Sequence, residues 1–76
     1  MKRLVIGRAA DCDWVVDDEY ASPRHAALVQ RSDGSVWLED LGSTNTTQLN
    51  GAKVWAPTPV RSGDTIRVGR TNLTVP

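Results

Sequence analysis

The sequence predicts an all-β domain, a small sandwich of two sheets, and three observations carry that expectation. Apolar and polar residues alternate in short runs, the period of half-buried strands. Six Gly and four Pro in 76 residues cut the chain into pieces of strand length. The longest stretch free of both, Arg8 to Ser22, shows no helical stripe. A chain this long supports one domain, residues 1–76, and a hydrophobic fraction of 39% is enough for a core.

The elements follow in order. Leu4-Val5-Ile6 opens the first strand and Gly7 closes it. Trp14-Val15-Val16 is a β-branched run and reads as a short strand before Asp17-Asp18-Glu19. Ala26 with Leu28, and Val36 with Leu38, mark two strands joined by the turn Ser32-Asp33-Gly34-Ser35. Asn50-Gly51 is a hairpin signal requiring positive φ, and Pro57-Thr58-Pro59 reads as a turn. After Ser62-Gly63-Asp64, the pairs Ile66/Val68 and Leu73/Val75 give two more strands around Gly69-Arg70. The inner faces are then Leu4, Ile6, Val15, Ala26, Leu28, Leu38, Leu41, Val54, Ile66, Val68, Leu73 and Val75.

Composition excludes several functions. Nine Lys plus Arg balance nine Asp plus Glu. A nucleic-acid or anionic-membrane binder needs a cationic face that this balance does not supply in bulk. No apolar run approaches the ~20 residues of a membrane span. Cys12 and His25 are the only residues of their kinds, so an internal disulfide and a Cys/His zinc cluster are both excluded. No metal and no cofactor is expected. Asp17-Asp18-Glu19 reads as a solvated loop. Trp14, Trp37 and Trp55 lack an interleaved basic stripe and read as rim or core packing rather than a platform for bases. Only Leu4-Val5-Ile6 follows Met1-Lys2-Arg3 before Gly7, too short for a signal-peptide apolar region. The expected compartment is the reducing cytoplasm.

Three loops collect the unusual polar residues: Gly7-Arg8, Tyr20 to His25, and Leu41 to Thr47. A rigid scaffold with function on the loops at one end is a common arrangement. Two Arg, several hydroxyls and one Asn amide suit a tetrahedral oxyanion, because Arg offers a two-pronged fork and hydroxyls offer single donors. Ser22 and His25 together invite a hydrolase reading. Their S-x-x-H spacing opens a strand, however, and no G-x-S-x-G elbow precedes a helix. No enzyme is expected. The residues alone lead to an anion-binding β domain.

A resemblance sharpens this. Ile6-Gly7-Arg8, then Ser22-Pro23-Arg24-His25, Gly42-Ser43-Thr44-Asn45, Asn50-Gly51, and Gly63-Asp64-Thr65-Ile66 with Gly69 stand in the order and spacing of the forkhead-associated (FHA) domain. The likeness runs from Leu4 to about Val75. It implies a β-sandwich that binds phosphothreonine peptides made by a Ser/Thr kinase. It further implies that Arg8 contacts the phosphate, that Ser22 donates its hydroxyl to the same phosphate, and that Arg24 adds a second basic contact. Thr44 would sit near the phosphate and the threonine methyl, and Asn45 would hold the peptide backbone. Gly7 would let the chain turn, and His25 would brace the Ser22 loop. Gly42 would shape the third loop, and Asn50 and Gly51 would form the turn after it. Tyr20 stands where the family often reads residues beyond the phosphothreonine.

The chain departs from the family pattern twice. Thr46-Thr47 replaces the usual Gly-Thr after the Asn, and a β-branched residue is strained if that position needs positive φ. FHA domains also carry about two more strands before the segment matching Leu4 to Arg8, so a sheet edge or a strip of core is expected to lie uncovered. Either the chain is a fragment of a larger protein, or a dimer or strand-swapped partner covers the gap, or the domain is a minimal variant. The alternative to phosphate recognition is an FHA-shaped interaction or self-association domain without phosphate dependence.

Overall fold

The computed structural model describes residues 2–76. Nine strands and no helix are present among them: β1 (Lys2–Gly7), β2 (Trp14–Val15), β3 (Ala26–Gln30), β4 (Val36–Asp40), β5 (Thr47–Leu49), β6 (Ala52–Lys53), β7 (Thr58–Val60), β8 (Thr65–Val68) and β9 (Thr71–Thr74). One sheet has the order β2-β1-β3-β4-β7 and the other β6-β5-β8-β9. All neighbours run antiparallel except β1 and β2. No helix is long and apolar enough to cross a membrane.

Alternation sets the register. In β8, Ile66 and Val68 are fully buried while Thr65 and Arg67 face solvent. Leu28 pairs with Leu38 across β3 and β4, and Ile6 pairs with Ala26 across β1 and β3. These side chains meet Val16, Ala21, Val54, Val60 and Val75 in one core between the sheets. Asn50 (φ 50) and Gly51 (φ 87) make the two-residue connection of the β5–β6 hairpin, the positive-φ turn whose twist matches the strands.

The structure corrects several expectations. Val15 is 49% exposed and Val16 is buried instead. β2 ends at Val15, and the Val16 N–H bonds the Gly7 carbonyl at 2.8 Å, which turns the Val16 side chain inward. A slip of one residue exchanges the faces of a strand. Thr58-Pro59 lies in strand β7 rather than in a turn. β7 is an edge of its sheet, so the missing Pro59 N–H breaks no inner ladder. Leu41 and Leu73 are only half-buried, and Leu4 is 37% exposed. Leu4 lines a groove of about 530 Å³ with Leu28, Val36 and Val75. β9 has no neighbour on its outer side among the described residues. Groove and open edge together are the uncovered strip expected from the sequence.

Strand directions put five connections at one end of the sandwich: β1–β2, β2–β3, β4–β5, β6–β7 and β8–β9. The β3–β4, β5–β6 and β7–β8 connections lie at the other.

Candidate functional site

The end that carries these five connections is laced together by hydrogen bonds. Gly7, the last residue of β1, runs against the β2–β3 connection so closely that a Cβ there would lie 2.2 Å from the Pro23 carbonyl oxygen. Gly7 is therefore required by contact inside a strand, and not by a turn as the sequence reading had it. The approach lets the Arg8 N–H donate to the Ser22 carbonyl at 3.0 Å, and the Arg8 Nε donate to the Ala21 carbonyl at 3.0 Å. The exposed guanidinium is thus anchored on its inner side. Its two Nη groups make no hydrogen bond or ion pair with the described residues.

Ser22 Oγ accepts the Thr44 N–H at 3.1 Å, which leaves the Ser22 hydroxyl proton for an outside acceptor. Asn45 Nδ2 donates to the Tyr20 carbonyl at 2.8 Å. Arg8, Ser22, Thr44 and Asn45 are thereby brought to one surface from three connections. Arg24 is not joined to them: it pairs with Asp11 at 2.6 Å, and both side chains are largely exposed. Asn50 and Gly51 form their turn at the opposite end, where Asn50 Oδ1 accepts the Thr65 N–H and Nδ2 donates to Asp64. Gly42, at φ 80, turns the chain between Asp40 and Thr44.

His25, fully buried, ties two of the loops. Its Nδ1 accepts the Ser22 N–H at 3.0 Å, so the proton of the neutral ring lies on Nε2. Nε2 then donates to the Thr46 carbonyl at 2.7 Å. That carbonyl belongs to a residue with φ 64, so the position does need positive φ and Thr46 adopts it.

Two aspartates missed from the sequence complete the lacing. Asp18 accepts from the Thr71 hydroxyl at 2.7 Å and from the N–H groups of Tyr20 (2.8 Å) and Arg70 (2.7 Å). The Thr71 hydroxyl above all, then those N–H groups, holds its carboxyl below the ordinary range. Gly69 also approaches closely, for a Cβ there would lie 2.8 Å from the Ala21 nitrogen. Asp40 accepts from the Ser43 and Thr47 hydroxyls and from the Gly42 and Ser43 N–H groups. Partial burial pushes the Asp40 carboxyl up, but these hydrogen bonds outweigh it and leave it below its usual range. The Asp-x-Gly-Ser spacing was a readable turn signal for Asp40. Asp18 stood in an acidic run, and two of its three partners, Arg70 and Thr71, are 52 and 53 residues away. Arg70, also missed, stacks its guanidinium 3.9 Å over the Tyr20 ring.

The arrangement presents unpaired donors to solvent and engages Asp18 and Asp40 in internal hydrogen bonds, which suits an anionic ligand. Ser22 and His25 form no nucleophile–base pair, since the bond between them uses the Ser22 backbone N–H. No cluster of three or more metal-ligating side chains occurs among the described residues.

Comparison with known proteins agrees with this geometry. The family model of the FHA domain matches residues 4–69. The FHA domain-containing protein FhaB of Mycobacterium tuberculosis is 51% identical over 71 residues, which is 92% of this chain and 44% of that protein. The chain therefore spans less than half the length of the curated relatives it matches. A chain solved for phosphothreonine-dependent FHA domain interactions superposes with a TM-score of 0.86 at 32% identity, covering 95% of this chain and 73% of that one. The N-terminal FHA domain of Saccharomyces cerevisiae Rad53p, solved with a phosphothreonine peptide, gives a TM-score of 0.83 at 35% identity, covering 90% of this chain and 56% of that one.

Proposed function

The chain belongs to the FHA domain family, and we propose that it is a phosphothreonine-peptide-binding module that reads out a Ser/Thr kinase. The observation that carries this reading is the meeting of Arg8, Ser22, Thr44 and Asn45 on three hydrogen-bonded loops, with the Arg8 Nη groups unpaired. Arg8 takes the phosphate with its fork, and the Ser22 hydroxyl donates to the same group. Thr44 contacts the phosphate and the threonine methyl. Asn45 holds the peptide backbone with the amide atoms not spent on Tyr20. Arg24, already paired with Asp11, adds charge at the rim. His25 and Gly7 support the site by fixing the Ser22 loop, and Gly42 shapes the Thr44 loop. Asn50 and Gly51 support it only through the register of β5.

A phosphothreonine brings about −1.5 to −2 charge and three acceptor oxygens. Burying its methyl contributes about 0.8 kcal/mol, roughly fourfold over phosphoserine. Residues 1–76 act as one binding module with no catalytic step, in the cytoplasm, where such a kinase finds its substrates. The test is a titration of a phosphothreonine peptide library against its unphosphorylated twin. Preference for the phosphorylated set is expected, and equal binding of both defeats the reading.

A second reading, self-association without phosphate, draws on the sheet edges. Pro59 blocks the β7 edge, while β2 and β6 are two residues each. β9 has four residues with neither charge nor Pro and is open. A solution mass that stays monomeric at high concentration removes it.

A further inference from the structure

Trp55 is 82% exposed, far more than any other large hydrophobic side chain among the described residues. Trp37 offers a direct contrast. It is half-buried, its Nε1–H bonds Ser35 Oγ at 2.9 Å, and Arg31 covers one face of its ring at 3.9 Å. Trp55 likewise has a cation on one face, Lys53 at 3.8 Å. Its Nε1–H, however, makes no hydrogen bond with the described residues. Lys53 packs on one face of the indole and most of the ring stays exposed. Holding a large side chain in advance lowers the ordering cost of binding to it.

What lies beside the ring sets the partner. Trp55 and Pro57 line a cleft of about 600 Å³ together with Glu39, Asp40 and Lys53. Gly42, Ser43 and Thr46 line it as well. These belong to the same β4–β5 loop whose Thr44 and Asn45 reach across to Ser22 and Tyr20. One short loop therefore separates the cleft from the phosphothreonine surface. A bound peptide in extended conformation advances about 3.3 Å per residue, so four residues cover about 13 Å and clear such a loop.

We propose that the Trp55 cleft is a second contact for the phosphothreonine ligand, taking a bulky apolar side chain of the same polypeptide several residues away from the modified threonine. The apolar side chain packs on the exposed indole, and a ligand carbonyl accepts from Nε1–H. This rests on the phosphothreonine reading and deepens it. The phosphate supplies the switch, and the cleft separates one phosphorylated partner from another.

The test uses two peptide libraries built around a fixed phosphothreonine, one with about eight varied positions on each side (about 26 Å of extended chain) and one with about three (about 10 Å). The wild-type chain is expected to enrich apolar residues beyond the third position on one side of the long library. Trp55→Ala is expected to bind the enriched long peptides about tenfold more weakly, while short phosphopeptides hold their affinity. Lys53→Ala, which frees the ring, is expected to cause a smaller loss confined to the long peptides. A thermal melt matching wild type confirms that each variant is folded, as expected for exposed side chains. Absence of apolar enrichment, or equal long-peptide binding by Trp55→Ala, overturns the cleft while leaving the phosphothreonine reading standing. No preference for phosphorylated over plain peptides overturns both. A change in solution mass in Trp55→Ala without any peptide effect assigns the cleft to a second copy of the chain and overturns the proposal.

Discussion

The two ends of the sandwich use the same chemistry at different sequence range. At the far end Asp33 caps its own turn, bonding Ser35 two residues on, and Asp64 bonds the Arg61 N–H three residues back. At the loop end Asp18 bonds Arg70 and Thr71, Ser22 bonds Thr44, Asn45 bonds Tyr20, and Arg8 bonds Ala21. These separations run from 13 to 53 residues. Among the described residues only Asn50, with its bonds to Asp64 and Thr65, makes side-chain links of that kind at the far end. A turn that closes on itself is fixed by its own few residues. The loop end takes its shape only after the sheets have formed, so a change at one residue is felt by the others.

The same substitution at each end tests this most severely. In Gly7→Ala the new methyl would stand 2.2 Å from a backbone oxygen, which has no flexible end to move aside. A loss of about 3 kcal/mol or more is expected, a large part of the whole stability of a domain this size. Gly34→Ala meets nothing within 4 Å and strains only a backbone at φ 88, which costs about 1–2 kcal/mol. Urea midpoints measure both. Equal losses would mean that the close approach at Gly7 is not rigid.

Affinity should respond at one end alone. Arg8→Ala removes a charged donor and is expected to weaken phosphopeptide binding at least tenfold, from about 1.5–3 kcal/mol per charged hydrogen bond. Arg8→Lys keeps the charge without the fork and restores only part of it. Arg61→Ala, at the far end, should leave affinity unchanged. Fluorescence polarisation with one phosphopeptide reads all three, and an effect at Arg61 would break the assignment of ends.

Acid separates binding from folding. The phosphate loses its second charge near pH 6, so binding should fall between about pH 7 and 5 while the fold persists. Hydrogen bonds hold the carboxyls of Asp18, Asp33, Asp40 and Asp64 below the ordinary carboxyl range in the folded chain. A depressed carboxyl gives stability that is present above its unfolded pKa and lost as pH falls through its folded pKa. Unfolding is therefore expected below about pH 4, in a lower window than the loss of binding. Asp40→Asn should flatten the acid limb of a urea-midpoint profile and weaken phosphopeptide binding at pH 7. Asp33→Asn should flatten the limb alone.

How much of this was legible in the sequence follows the same division. Alternation gave the Ile66/Val68 face of β8, and Asn50-Gly51 gave its hairpin, because both signals are local. The choice between Val15 and Val16 was not local, since it depends on where β2 stops against β1. Pro59 misled because a Pro reads as a turn until the strand carrying it is known to be an edge. The motif resemblance picked out Arg8, Ser22, Thr44 and Asn45, and the fold brings those four together. Arg24 it grouped with them, but Asp11 sits within reach and holds its guanidinium. Asp18 looked like one member of a solvated acidic run. Its hydroxyl and N–H partners on the β8–β9 hairpin enter its surroundings only once the chain has folded.

The two non-glycine residues with positive φ give the finest version of the comparison. Asn50 (φ 50) sits in the far-end hairpin, and Asn tolerates this region because its short amide bonds the nearby backbone. Thr46 (φ 64) sits in the loop end, where a β-branched side chain crowds its own carbonyl. What holds it there is the His25 Nε2 bond to that carbonyl. Thr46→Gly removes strain of about 1–2 kcal/mol and adds about 0.5–1 kcal/mol of chain entropy cost, for a net gain near 1 kcal/mol. That corresponds to a Tm rise of about 5 °C in a domain of this size. Asn50→Gly forfeits the bonds to Thr65 and Asp64 and relieves little, so it should lower Tm. The expected order is Thr46→Gly above wild type and Asn50→Gly below it. A reversed order would mean that the Thr46 side chain stabilises the loop by more than its backbone strains it.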